Sequence, residues 1–306
     1  MSACHRSLDS AGMEEHSRIE IFLRYRPLLL SIAYRMLGSM ADAEDLVQET
    51  FIRWQTSSEA DVRSPRAYLV TILSRLCIHQ LESARVQRER YVGPWLPEPV
   101  STGATADPFD ASELQESLSM AFLLLLERLT PVERAAFLLH DVFGYGYEEL
   151  VGVLSKSEAT CRQIVHRARM HVTENRPRFD PAPEQHERLL LEFVAAASSG
   201  DMEGLVSVLS NEVVLYSDGG GKANAALRPL HGAMTVARFV LGAIAKSVPK
   251  DVSVNIEMVN GQPSVVYRLP QGSAGCVLSV VISGQRISEI LVVTNPDKLV
   301  HVAARS

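Results

Sequence analysis

From Ile19 to Arg90 the apolar residues return at intervals of three and four: Ile21, Leu28 and Ile32, then Leu46, then Leu69, Ile72, Leu73 and Leu76. That spacing lays one apolar stripe along each helix and predicts a compact helical bundle. Ser64-Pro65 opens one of its helices, since proline in a first turn gives up an N–H that has no helical acceptor, and this helix runs to the arginines near Arg88. Residues 91–110 break the period with four prolines among small polar residues and read as a linker. Trp95 and Leu96 are costly to leave in water and suggest that the linker packs on a surface; a passive proline spacer is the alternative. Helical spacing resumes from Ser112 to Arg176, with a buried run at Leu123 to Leu126, a helix start at Thr130-Pro131 and breaks at Gly144 and Gly146. A second proline-rich linker, Asn175 to Pro183, follows.

Beyond Glu184 the pattern changes. Helices over 185–198 and 202–209 give way to β-rich runs at 213–216, 252–259, 264–269, 276–282 and 287–294, with a helix over 233–245 between the first two. This order predicts a curved antiparallel sheet wrapped around a helix, an α+β cone. The chain is therefore expected to be multidomain: an all-α domain over 16–92, a linker over 93–111, a second all-α domain over 112–177, and the cone over 184–306.

At 306 residues with 46% hydrophobic content the chain can bury several cores, and its net charge of −6 argues against a simple nucleic-acid coat protein. The charge is unevenly divided, however. Asp42, Glu44, Asp45 and Glu49 lie just ahead of six arginines at 63, 66, 75, 85, 88 and 90. Four scattered cysteines without a C-x-x-C pair indicate neither a zinc site nor a disulfide framework and fit reduced cytosol; no cofactor is expected. Lacking an apolar run near the roughly 18 residues that span a bilayer, the chain is expected to be cytoplasmic and to involve no membrane.

Three segments carry candidate chemistry. In Asp42 to Trp54, Leu46, Val47, Phe51 and Ile52 form a helical stripe beside acidic and amide side chains, which suits a docking helix and equally a solvated acidic face. Tyr147 to Leu154, a turn at 154–156 and a second helix capped by Ser157 have the form of a helix-turn-helix, with Thr160, Arg162, Gln163, His166, Arg167 and Arg169 on the second helix. Arginine and glutamine near its start suit guanine or adenine edges; Arg167 and Arg169 suit phosphates. Between these two segments lies a basic helix with Arg66, Tyr68, Arg75, Arg85 and Arg88. Tyr68, Trp54 and Tyr91 offer rings on which bases of an opened strand can stack, or serve as core.

The acidic helix, the basic helix and the helix-turn-helix, in this order over residues 16 to 176, resemble an extracytoplasmic-function sigma factor. The resemblance implies that Asp45, Leu46, Gln48, Glu49 and Ile52 face the clamp of the largest RNA polymerase subunit. It implies that Arg66, Tyr68, Arg75, Arg85 and Arg88 meet the promoter DNA at the −10 element, and that Thr160, Arg162, Gln163, His166, Arg167 and Arg169 meet it at the −35 element. The stretches Trp95-Leu96-Pro97-Glu98-Pro99, Asp218-Gly219-Gly220-Gly221-Lys222 and Asn295-Pro296-Asp297-Lys298-Leu299 look like those of the subgroup with a fused SnoaL-like (NTF2-like) domain. That likeness implies control in cis, no strict need for a separate anti-sigma protein, and regulatory contacts at Trp95, Leu96, Pro97, Asp218 to Lys222 and Asn295 to Lys298.

Two rivals stand beside this reading. A DNA-binding regulator acting without polymerase has no use for the acidic docking helix. A DNA-binding regulator fused to a polyketide-cyclase or isomerase-like enzyme domain is suggested because SnoaL-like folds also host such enzymes. Asp218 follows the first strand, where the isomerases hold a general base, with Tyr216 and Tyr267 as candidate oxyanion donors. No protonated acid is evident among the strands, and Asp218 before three glycines is also an ordinary tight turn, with Lys222 near enough to keep the carboxylate ionised. Fold alone does not confer the activity, so no catalytic residue is assigned. His140-Asp141, His166 and His171 read as structural or solvent-facing rather than metal ligands, and Gly219 to Gly221 lacks phosphate-loop spacing. Any small-molecule ligand of the cone is left open.

Overall fold

The structure, a computed structural model, describes residues 3–57, 64–88, 91–102, 118–175, 183–247 and 252–302. Its helices in chain order are α1 (Ala3–Leu37), α2 (Met40–Thr56), α3 (Pro65–Arg88), α4 (Met120–Leu126), α5 (Pro131–Phe137), a π-helical turn (Leu138–Val142), α6 (Tyr147–Leu154), α7 (Glu158–Asn175), α8 (Pro183–Ser199), α9 (Met202–Val208) and α10 (Ala233–Ser247). The strands are β1 (Leu209–Asp218), β2 (Leu230–His231), β3 (Ser253–Val259), β4 (Gln262–Arg268), β5 (Ala274–Ser283) and β6 (Arg286–Val293). The chain divides into two compact units.

The first unit is helical and contains α1 to α3, α5, the π turn, α6 and most of α7. Gly38 takes φ +67° after α1, and Ser39 then caps α2, its Oγ accepting from the Asp42 N–H at 3.2 Å. Met40, Ala43, Val47, Thr50 and Trp54 form the buried stripe of α2. Trp54 is core: it is 3% exposed and donates its indole N–H to the Arg18 carbonyl at 3.0 Å. Thr130 and Glu133 start α5 with a capping box. Ser155, left-handed at φ +53°, ends α6, and Ser157 caps α7 by accepting from the Thr160 N–H at 3.2 Å.

The second unit is the α+β cone. Its six strands run in the order β2-β1-β6-β5-β4-β3, antiparallel except for β1 beside β6. The strand pattern predicts an antiparallel sheet; β1 and β6 are instead parallel, the first and last strands of the domain, brought together after α10 and two hairpins intervene. Period-two alternation gives the sheet two apolar faces. Val213, Leu215, Val280, Ile282, Ile287 and Ile290 meet Leu189, Leu190 and Phe193 of α8 and Val236, Ala237 and Val240 of α10. On the opposite face Val259, Val266, Val277, Leu291 and Val293 meet Leu96 of the linker, Met120 of α4, and Leu299 and Val302. The linker is thus a layer of this unit, buried from Leu96 to Val100. So is α4, expected with the second helical domain; Met120, Ala121 and Leu124 give it an apolar face that the sheet covers.

Candidate functional site

On α2 the exposed face carries Glu44, Asp45, Gln48 and Ile52, the last 50% exposed, whereas Leu46 and Glu49 are half-buried. Glu49 accepts from Arg53 at 2.8 Å. Beside this face lies a groove of about 370 Å³ lined by Phe22 and Arg26 of α1 and by Glu44, Val47, Gln48 and Phe51 of α2. The Phe22 and Phe51 rings, 4.7 Å apart, form part of its wall. Apolar surface between acid and amide on one side and Arg26 on the other suits a partner helix with mixed charge.

The two α3 arginines whose side chains are described are exposed but engaged within the helical unit. Arg66 donates to the Tyr145 hydroxyl at 3.2 Å, with its guanidinium 4.9 Å from the ring. Arg75 donates to the carbonyls of Gly152 at 2.5 Å and Val153 at 3.1 Å, and to the Ser155 hydroxyl at 3.0 Å. These acceptors belong to the last turn and C-cap of α6, where carbonyls lack helical donors and the helix dipole is negative. Arg134 reaches from α5 to the Met36 carbonyl at 2.7 Å, near the end of α1; burial pushes its pKa down to about 9. Tyr68 is half-buried, its ring 5.9 Å from that of Trp54. The Arg85 and Arg88 side chains lie outside the described residues.

On α7, Cys161, Ile164, Val165 and Ala168 face the core, leaving Arg162, Gln163, His166, Arg167 and Arg169 exposed. Thr160 is partly spent on the cap, its hydroxyl 2.8 Å from that of Ser157. Arg162 pairs with Glu158 at 2.6 Å and lies 4.3 Å from the Tyr147 ring centre. Arg167 is 64% exposed and 3.6 Å from Glu133. Arg169, expected at a phosphate, pairs with both carboxylate oxygens of Asp141 at 2.9 and 3.1 Å, a contact that raises its pKa.

The linker and the cone meet at Asp218, which is completely buried. Its carboxylate accepts from the Tyr91 hydroxyl at 2.6 Å, the Leu96 N–H at 2.8 Å and Lys298 Nζ at 2.7 Å. The same ammonium donates to the Leu96 carbonyl at 2.5 Å and sits 4.1 Å from the Trp95 ring centre and 5.0 Å from that of Tyr91. Pro97 lies in the buried stretch. The counter-ion expected for Asp218 was Lys222; that residue pairs with Asp297 in the same unit instead, and Lys298 takes its place. Gly219 to Gly221 let the turn after β1 approach closely: at Gly220 (φ +57°) a Cβ would collide with the Asn295 amide, which donates to the Tyr91 hydroxyl at 3.0 Å. Asn295 also caps the Pro296–Lys298 turn that aims Lys298 inward. Tyr91, a ring that the sequence offers for base stacking or for the core, anchors the linker here. Its pKa is pushed up by burial first and by Asp218 second.

A second anchor was missed. Asn260 and Gly261 form the two-residue turn between β3 and β4, both with positive φ. The Asn260 side chain accepts from the Val100 N–H at 2.9 Å and donates to the Leu118 carbonyl at 3.0 Å, fastening two points of the chain ahead of α5 to the sheet. An Asn-Gly between two strand-like runs was the available signal; its grip on the linker had none.

Comparison with known proteins adds the following. The family model for Sigma-70 region 2 matches residues 21–86 and that for Sigma-70, region 4 matches residues 119–172. The chain is 38% identical over 287 residues to the ECF RNA polymerase sigma factor SigJ of Mycobacterium tuberculosis, covering 90% of this chain and 91% of that one. It is 33% identical over 293 residues to the probable ECF RNA polymerase sigma factor SigI of the same species, covering 94% and 97%. The crystal structure of the M. tuberculosis extracytoplasmic function sigma factor SigJ superposes with a TM-score of 0.75 at 34% identity, over 94% of this chain and 100% of that one.

Proposed function

The chain belongs to the extracytoplasmic-function RNA polymerase sigma factors, and on that premise we propose a division of labour among its three functional faces. The exposed side of α2, with Asp45, Gln48 and Ile52 beside the Phe22–Phe51 groove, docks on the clamp of the largest polymerase subunit; Leu46 and Glu49 support it. The basic side of α3 meets the −10 element, and Arg162, Gln163, His166 and Arg167 of α7 meet the −35 element. The cone controls both from within the chain by holding the linker between them, so that a separate anti-sigma protein is not strictly required. Core polymerase and promoter DNA place its work in the cytoplasm; no helix among the described residues is long and apolar enough to cross a membrane.

The observation that carries the regulatory half is the burial of Leu96 to Val100 on the sheet, anchored by Asp218. Arg66 and Arg75 support a closed arrangement of the helical unit: hydrogen bonds to Tyr145 and to the end of α6 occupy the groups that would meet a melted strand. Docking on polymerase then has to part α3 from α6. Asp218 also argues against the enzymatic rival, because both carboxylate oxygens are taken by the linker and Lys298, on the sheet face opposite α8 to α10.

The docking assignment is tested with Gln48→Ala combined with Glu49→Arg, in a protein whose circular dichroism is unchanged. A reversed charge at an interface centre costs about 2 kcal/mol or more, so core polymerase should no longer co-purify. Undiminished co-purification would remove α2 from the polymerase interface.

A further inference from the structure

We propose that Tyr147 is a positioning residue for −35 specificity: its ring holds the Arg162 guanidinium in the attitude from which it reads a base. This rests on α7 being the promoter-reading helix. Arg162 is pinned on two sides, by the Tyr147 ring at 4.3 Å and by Glu158 Oε1, 3.2 Å from its Nε and 2.6 Å from its Nη2. Its side chain nevertheless remains 59% exposed. A guanidinium stacked on an aromatic face keeps its donor edge open while losing rotational freedom before DNA arrives. That is the preparation needed to meet the paired acceptors on a guanine edge in the major groove.

Tyr147 is itself held. It is the first residue of α6, where the Gly146 N–H donates to Glu149 at 2.9 Å, and its ring lies 4.3 Å from that of His140. His140 Nδ1 is 2.7 Å from the Tyr145 carbonyl, which fixes the imidazole in turn. His140 and Asp141 occupy the π-helical turn, whose wider winding is closed by the Phe143 N–H on the Leu138 carbonyl at 2.9 Å. The two adjacent residues reach the reading helix at two places. His140 acts through Tyr147 on Arg162, and Asp141 clamps Arg169 directly; these arginines lie seven positions apart, so they share one side of α7. On this reading Arg169 sets the seating of α7 and is not a phosphate contact.

The test uses the full chain with core polymerase on promoters carrying each base at every −35 position, at one fixed salt concentration. Tyr147→Ala should reduce preference at the position read by Arg162 by roughly two- to fivefold, the range that an exposed cation–π contact supports, leaving −10 preferences unchanged. Tyr147→Phe keeps the face and should behave as the parent. Tyr147→Leu keeps a bulky apolar side chain without the face and should behave as Tyr147→Ala, which guards against a mere folding defect. Adding Tyr147→Ala to Arg162→Ala should change nothing further. A uniform loss across all promoters, failure of phenylalanine to rescue, or additive effects in the double variant would overturn the proposal. If Arg162→Ala itself leaves every −35 preference intact, the base-reading role of Arg162 fails and the proposal falls with it. If Arg162→Ala relaxes a position that Tyr147→Ala leaves untouched, only the positioning role is lost.

Discussion

Lys298 and Arg75 each close a contact onto backbone carbonyls far away in sequence, one within the C-terminal unit and one within the helical unit. Their surroundings differ. Lys298 is 8% exposed and its partner Asp218 not at all, with Trp95 and Tyr91 excluding water from the ammonium. Arg75 is an exposed residue, and its bonds to Gly152 and Ser155 lie at the surface. The donors and acceptors are of similar kind, but desolvation makes one contact a commitment and leaves the other exchangeable with water. A linker fixed by the first kind becomes part of the cone's fold. A closure fixed by the second can be undone by a partner offering comparable bonds, which suits arginines proposed to meet DNA at the −10 element.

The largest expected effect follows from the buried pair. Lys298→Met keeps the apolar stem but leaves the Asp218 carboxylate without its cation, and should cost the C-terminal unit about 3–5 kcal/mol in urea unfolding, with Trp95 emission shifting to the red. Adding Asp218→Asn should recover a good part of the loss, because an amide oxygen still accepts from the Leu96 N–H without a buried charge. A cost under about 1 kcal/mol for Lys298→Met would break the comparison, since the buried contact would then be no stronger than a surface one.

The same contrast explains how much could be read from the chain. Local periodicity located the helices and all strands but the two-residue β2, because stripes and alternation are written in neighbouring positions. The apolar Trp95 and Leu96 among prolines carried a packing argument that needs no partner to be named. Which residues meet is another matter. Lys298 rather than Lys222 neutralises Asp218 across 80 positions, Tyr91 reaches the same carboxylate across 127, and Arg75 finds Gly152 across 77. Each depends on topology, above all on the parallel β1–β6 pairing that places Asp218 opposite Val293 and next to the Asn295 turn. That α4, inside the region 4 match, packs on the sheet was not legible for a related reason: an apolar helix shows that it is buried, not on what.

A middle-sized effect probes the other face of the sheet. His186 on α8 is 6% exposed; one ring nitrogen bonds the Pro263 backbone and Nε2 has no hydrogen-bond partner among the described residues. Burial lowers its pKa below the ordinary 6.5, so around and just below that pH the unfolded chain binds a proton that the folded chain refuses. The stabilising contribution is complete above pH 6.5 and is lost as the pH falls through the lowered folded value. Urea unfolding at about pH 7.5 and about pH 5.5 should show a loss on the order of 1 kcal/mol that His186→Leu abolishes. An unchanged slope in the variant would assign the pH dependence elsewhere.

The smallest effect on stability is also the sharpest test of the contrast. Arg75→Ala removes three hydrogen bonds, two of them at exposed acceptors that can turn to water. The stability of the helical unit should change by no more than about 1 kcal/mol, and that small change should shrink as salt is raised. What should change is local: amide exchange at the end of α6 and through residues 155–157 should quicken, because Arg75 no longer ties that turn to α3. Promoter opening should weaken in the same variant, since the side chain that closes the unit is the one assigned to the −10 strand. A loss above about 2 kcal/mol would make the α3–α6 contact a structural joint like the Asp218 clamp and remove the case for its release by polymerase.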